Sequence, residues 1–389
     1  MKDQISKFLQ ERIDAGDFPS AVYLVAEKGE IAMQDALGFA VVEPERIEAR
    51  LDMVYDMASL TKVLVTGLCA AHLIEDGRLA IDDTVAKFLP EFKENAVNNV
   101  TIGQLASHSS RFFSWMPLYL TSQNLLHVVE TIAQQDLLEP DSGVVYSDLN
   151  FIVLGQIIQK IRGFRLDIAI SEMFEDKLGL RSTAFNPLSQ PNPWCLVSRI
   201  DVAASEKGNE FEKQTCIEKG FLSVNDRNPV ATAPGSDFRT PHSAFRTETI
   251  WGEVHDGNAY FMGGVAGHAG LFSTAEEVFK IAQQFLPNYS TLLKPETCKL
   301  FRTNFTPGMN EHRSFAFQLA STPDSTAGQL MSPQSFGHLG FTGTSLWIDP
   351  VKERIFILLT NRTHNHALPF VNINSVRRRF HDLAIGQLE

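Results

Sequence analysis

The chain has 389 residues, a formal charge of −12 and four cysteines, with an isoelectric point near 5.4. That length suits one large domain or two intimately packed ones, with ample apolar content for a core. The acidic balance argues against nucleic acid and anionic membrane surfaces as partners.

In chain order, residues 2–15 place Ile5, Leu9 and Ile13 at helical spacing. Residues 21–26 and 30–39 are strand-like and meet at Lys28-Gly29, as in a hairpin. The stretch from 59 to 76 predicts a helix, stopped by Gly77. It is apolar nearly all round, which places it in the interior. Residues 78–150 alternate loops and short helices, and 151–162 and 167–178 are helical by pattern. Residues 186–250 are rich in Pro, Asn, Ser and charge and have little periodicity. Such a segment shapes a binding site or lid, and specificity is expected to reside there. A helix follows at 274–286, then strands at 315–320, 335–341, 344–348 and 354–359, and a last helix from about 374 to 385. The basic run Arg377-Arg378-Arg379 is taken as one face of that helix. Strands at both ends with helices between them predict an α/β (α+β) fold. An antiparallel sheet built from both chain ends would be flanked by helices and joined to a largely helical insertion. The division expected is one catalytic unit over 1–389, with 1–58 plus 265–389 as the α/β region and 59–264 as the helical one.

The cysteines lie far apart without paired spacing, which suits a reducing compartment. The opening MKDQISKFLQERIDAG has no apolar core of the signal-peptide kind, and no stretch reaches the ~18 apolar residues of a membrane span. The expectation is a cytoplasmic monomer without membrane contact, although a trimmed leader would leave the same sequence.

The first turn of the predicted buried helix carries Ser59-Leu-Thr-Lys62. Ser59 and Lys62 share one face, and a buried ammonium is costly unless paired or neutral. As plain structure, Ser59 caps the helix and Lys62 snorkels out of it. As chemistry, Ser59 is a nucleophile at a helix N-terminus and Lys62 takes its proton. Tyr146-Ser147-Asp148 precedes another helix. Ser147 or Asp148 could simply cap it, or Tyr146 could relay a proton while Asp148 holds the lysine or the substrate. In FGHLGFTGTSLWIDP, His338 would face the cleft or be an ordinary satisfied strand residue. Gly340 would let a substrate approach, and the Phe341 N–H would be an oxyanion donor. No Gly-x-Ser-x-Gly elbow, P-loop or His-Glu-x-x-His is present, and Gly264, Gly267 and Gly270 do not form a dinucleotide fingerprint. No cofactor or metal is called for.

Together, in this order, the three motifs resemble those of the serine β-lactamase and penicillin-binding-protein superfamily. The likeness is to its class C-like branch, where the second motif is Tyr-x-Asn and the third can be His-x-Gly. IDDTVAKFLPEF, TIGQLASHSS, VYSDLNFIVLGQII, KLGLRSTAFNP and GGVAGHAGLFSTAEEV extend the resemblance over nearly the whole chain, much of 190–245 excepted. GEVHDGNA and LLTNR further resemble a subgroup of esterase-like hydrolases and an exo-acting N-acetylmuramoyl-L-alanine amidase. The resemblance implies a serine hydrolase working through an acyl-enzyme, with Ser59, Lys62 and Tyr146 catalytic. It places Asp148, His338, Gly340 and Phe341 around the substrate, and Asp256, Asn258 and His268 along the cleft. Its implied partner is a small molecule or muropeptide carrying an ester, amide or β-lactam carbonyl. A muropeptide amidase, a D-Ala carboxypeptidase and a non-catalytic β-lactam sensor are the alternatives. Two departures stand out. His338-Leu339 replaces the Lys-Thr that holds a substrate carboxylate in relatives, which argues against strong β-lactam hydrolysis. Asp148 replaces Asn, which favours a protonated Lys62 and moves the base role towards Tyr146.

Overall fold

The computed structural model describes residues 4–94, 96–189, 195, 197–223 and 245–389. Its strands are β1 (Ser20–Glu27), β2 (Glu30–Val41), β3 (Ile47–Glu48), β4 (Tyr55–Asp56), β5 (Ala184–Phe185), β6 (Leu271–Ser273), β7 (Gln318–Leu319), β8 (Phe336–Leu339), β9 (Ser345–Asp349) and β10 (Arg354–Thr360). Seven of them form one sheet in the order β3-β2-β1-β10-β9-β8-β7, and β4-β6-β5 form a small second sheet. The seam of the large sheet joins the chain ends. β1 and β10 run antiparallel from Ala21 opposite Thr360 to Glu27 opposite Arg354. Both strands are buried along almost their whole length, so they are continuous apolar runs, because helices cover both faces.

Alternation along these strands divides the core in two. Ala21, Tyr23, Val25, Phe356 and Leu358 pack with Ile5 and Leu9 of the N-terminal helix (Gln4–Asp14) and Phe380 and Ala384 of the C-terminal helix (Asn374–Leu388). Val22, Leu24, Ile357 and Leu359 face the other way, against Val63, Leu64, Leu68 and Val278. The helical run Ala58–Glu75 fills that second core. By length and composition it could cross a membrane, contrary to expectation, yet 78% of it is packed inside the protein. It is not uniformly α-helical. A 3₁₀ turn (Ala58–Leu60) leads into a π-helical stretch (Lys62–Gly67) before the α-helix Leu68–Glu75. The wide turn ends at Gly67, where a Cβ would lie 2.8 Å from that of Ala316.

Other differences have local causes. The strands expected at 315–320 and 335–341 are shorter. Ala316 turns into the left-handed region (φ 72°) and donates its N–H to Ala106, while Gly340–Gly343 closes a turn. Within 186–250, a helix (Glu210–Glu218) and a 3₁₀ turn (Arg199–Asp201) replace the expected irregular chain. The parts of that segment at 190–194, 196 and 224–244 lie outside the described residues. The three arginines do not share a face. Arg377 is buried, whereas Arg379 is exposed.

Candidate active site

A cavity of about 510 Å³ opens where the helical region meets the β8 edge, with Ser59, Tyr146, Asp148, Asp256, His338 and Phe341 in its walls. Ser59 is placed by strain and anchoring. Ala58, just before it, sits at φ 47°, a conformation that costs a non-glycine residue energy and persists only when neighbours enforce it. Asp56 is the enforcer: its carboxylate accepts the Ala58 N–H at 2.8 Å and the His255 N–H at 2.7 Å.

Lys62 is fully buried and its ammonium is saturated. Nζ lies 2.8 Å from Ser59 Oγ, 2.7 Å from Asp148 Oδ1 and 3.2 Å from the His268 carbonyl. Three acceptors for three protons fit the charged form. Burial pulls the lysine pKa down, but Asp148 and Tyr146 outweigh it and the net shift is upward. The snorkelling alternative therefore fails.

Tyr146 sits beside Lys62 and Ser59 and feels both electrostatically. Its ring lies between His108 and His338, with centroids 4.5 and 5.7 Å away, and Lys62 Nζ is 5.0 Å from its centroid. Burial raises its pKa, the Lys62 charge opposes this, and a neutral phenol results. The simple capping reading of Ser147-Asp148 fails too. Ser147 forms no side-chain cap, donates Oγ–H to the Phe113 carbonyl at 2.6 Å and takes His108 Nδ1 as partner of its N–H at 3.0 Å. Asp148 is thus free to meet Lys62.

The third motif needs correction at Gly340. His338 is 4% exposed and donates Nδ1–H to the Leu339 carbonyl at 2.9 Å. Burial, with Lys62 and Arg313 nearby, holds its pKa well below the ordinary value. It is therefore neutral near pH 7. Gly340 lines the cavity, but substrate approach is not what excludes a side chain there. A Cβ would strike Thr344 Oγ1 at 1.9 Å and the Met57 carbonyl at 2.7 Å. That contact belongs to a tether the sequence reading missed. Thr342 Oγ1–H donates to the Asp56 carbonyl (2.8 Å) and Thr344 Oγ1–H to the Met57 carbonyl (3.0 Å). Two hydroxyls thus fix the Gly340–Phe341 peptide relative to the backbone just ahead of Ser59.

Of the three further cleft residues, only Asp256 reaches the cavity wall. Its carboxylate accepts the Ala259 N–H at 2.8 Å and pairs with His268 Nε2 at 2.9 Å. Burial opposes ionisation, but His268 dominates and keeps the Asp256 pKa below the carboxylate range. His268 itself is 1% exposed and acts through its carbonyl on Lys62. Asn258 is fully buried, accepting the Leu118 N–H and donating to the Met116 carbonyl; it braces a wall loop. Two wall residues were given no role in the cleft by the sequence reading. His255 pairs with Glu206 at 2.8 Å. Glu212 accepts the Gly257 N–H at 2.7 Å, and burial together with Asp256 pushes its pKa to about 7. A cue was the dipeptide His255-Asp256 beside a glycine; for Glu212 nothing in the sequence marked it. Among the described residues no cluster of three His, Cys, Asp or Glu could hold a metal.

A serine and a tyrosine on the cavity wall around a buried lysine, between an antiparallel sheet of both chain ends and a helical region, mark the β-lactamase/transpeptidase-like fold. The chain belongs to the Beta-lactamase family, which matches residues 5–377. It is 30% identical over 389 aligned residues to a protein of Escherichia coli (strain K12) named "Putative D-alanyl-D-alanine carboxypeptidase", covering 93% of this chain and 82% of that one. Among solved structures, it resembles EstCE1, a hydrolase with promiscuous acyltransferase activity, with a TM-score of 0.68, 20% identity and coverage of 98% and 97%. It also resembles a class C beta-lactamase, with a TM-score of 0.69, 14% identity and coverage of 99% and 95%. The protein is a serine hydrolase.

Proposed function

We propose that the protein cleaves an ester or amide carbonyl through an acyl-enzyme on Ser59. The observation that carries this is Ser59 Oγ at 2.8 Å from Lys62 Nζ, with the Tyr146 ring centroid 5.0 Å from that Nζ and both Ser59 and Tyr146 in the cavity wall. Ser59 Oγ attacks the carbonyl carbon as its proton passes to the Tyr146–Lys62 pair. The Ser59 and Phe341 N–H groups receive the oxyanion. The pair then returns the proton to the leaving group. Water, activated by Tyr146, releases the acyl group and regenerates Ser59. Because Lys62 and Tyr146 are both protonated near neutrality, the competent form is one in which this coupled pair has lost a proton.

An ester or neutral amide suits His338 better than a β-lactam does, since a neutral imidazole and Leu339 supply no charge for a carboxylate. A second reading, D-Ala carboxypeptidase or muropeptide hydrolysis, is supported by the relatives' name and by Arg362 in the cavity wall. A non-catalytic sensor would acylate at Ser59 and stop. Wild type and Ser59→Ala are to be compared on a neutral 4-nitrophenyl ester, an amide, a chromogenic cephalosporin and a muropeptide, with mass spectrometry of the protein. We expect a transient acyl adduct and a loss of kcat of ~10³-fold or more in Ser59→Ala. Full turnover by a folded Ser59→Ala protein overturns the nucleophile, and a permanent adduct without product overturns catalysis.

A further inference from the structure

The basic run near the C-terminus leaves one arginine unexplained. Arg377 stands in the first turn of the C-terminal helix and is 4% exposed. Its guanidinium points at the third motif. Nη2 donates to the Gly340 carbonyl at 2.9 Å and to the Thr344 carbonyl at 2.9 Å, while Nη1 is held by Asn374 Oδ1 at 3.0 Å. The Gly340 carbonyl also accepts the Gly343 N–H at 3.1 Å. This carbonyl and the Phe341 N–H belong to one peptide unit. A cation on the oxygen side withdraws electron density from the nitrogen side and strengthens that N–H as a donor. Burial and the like charge of Arg362 depress the Arg377 pKa to about 9, so it stays cationic near neutrality.

We propose that Arg377 is a positioning residue for the oxyanion hole, polarising the Gly340–Phe341 peptide so that its N–H binds the tetrahedral oxyanion more tightly than the ground-state carbonyl. The proposal rests on the reading above that Ser59 is the nucleophile and the Phe341 N–H an oxyanion donor. It explains why a buried cation sits behind a turn that Thr342 and Thr344 already hold in place. It also explains why the charge contacts carbonyls and not a carboxylate, which would cancel its field.

The test uses a neutral 4-nitrophenyl ester, which carries no carboxylate for an arginine to bind, and phenylboronic acid, which forms a tetrahedral adduct on an active serine. Rates are normalised to active sites titrated with a fluorophosphonate, so that a loss of folded protein does not count. For Arg377→Gln we expect about a tenfold fall in kcat, less than the loss of a whole oxyanion donor. KM should stay within about twofold, and boronate binding should weaken by about the same factor as kcat. Arg377→Lys should recover part of both. If Arg377→Gln does not fold, Asn374→Ala, which frees Nη1, should give a smaller loss of the same kind. Unchanged kcat and boronate affinity overturns the proposal, and so does a rise in KM alone. Failure of the underlying reading looks different: Ser59→Ala would then bind the boronate as tightly as wild type.

Discussion

Lys62 illustrates how two opposing influences on one buried amine can be separated. Burial alone would leave it neutral and basic, whereas the Asp148 carboxylate at 2.7 Å holds the proton on. In wild type the deprotonated pair therefore appears only on the alkaline side, and kcat/KM for a neutral ester should climb as pH rises through and above neutrality. Asp148→Asn removes the larger charge that raises the Lys62 pKa and leaves burial opposed by Tyr146 alone. The competent form then appears at lower pH, and the rising limb of the kcat/KM profile should move towards acid. A profile from pH 5 to 10 for both proteins checks this. A limb that stays in place or moves towards alkali would show that Asp148 does not set the charge on Lys62. Asp148 was legible as an odd residue in the second motif. Its distance from Lys62 was not, because that depends on Ser147 turning away to Phe113 and His108.

The segment carrying His268 has to pass very close to the helix Asp148–Arg162, and two glycines allow it. A Cβ on Gly267 would lie 2.1 Å from the Phe151 carbonyl and 2.9 Å from Gly155 Cα. Thr66 Oγ1–H binds the Gly267 carbonyl at 2.6 Å and pins the crossing. Gly267→Ala forces backbone from backbone, so we expect destabilisation of about 1–3 kcal/mol. We also expect a fall in kcat, because the neighbouring His268 carbonyl steadies Lys62. Denaturant unfolding with parallel ester assays measures both, and wild-type stability would refute the packing argument. At this scale the sequence was informative where a signal was local. A nearly unbroken apolar run marked the buried helix, and the strand-like residues 21–26 marked β1. It was silent where distant partners decide. The close approach at Gly67 depends on Ala316, the Gly340 requirement on Thr344 and Met57, and the burial of Arg377 on carbonyls 33 and 37 residues away. Asn258 and His268 were recognised as part of the site region, but pattern could not tell a bracing amide from a cavity wall.

Across the whole molecule, each face of the large sheet buries neutral histidines. His108 and His338 lie on the active-site side. His381 lies among Phe380, Phe356 and Trp347 on the other, with ring centroids 5.2, 5.8 and 6.3 Å away. It donates Nδ1–H to the Thr326 carbonyl at 2.7 Å. Burial pushes its pKa down to about 3, against an unfolded value near 6.5. A folded pKa below the unfolded one means that the unfolded chain binds the proton first. The stability His381 supplies is therefore complete above about pH 6.5 and drains away as pH falls towards 3. Other groups act in the same window. Glu212 and Asp56, whose pKa values are raised, gain relative stability as they protonate, and His255, raised by Glu206, is already charged where the window opens. Net acid stability mixes these signs, so the informative quantity is a difference. His381→Gln retains a donor for Thr326 but cannot titrate. It should start less stable than wild type at pH 7, and the gap should narrow by about 1.4 kcal/mol per pH unit between pH 6 and 4. Urea unfolding at each pH measures it. Parallel curves would mean that His381 already carries a proton in the folded protein, which three aromatic neighbours and one carbonyl give no means to stabilise.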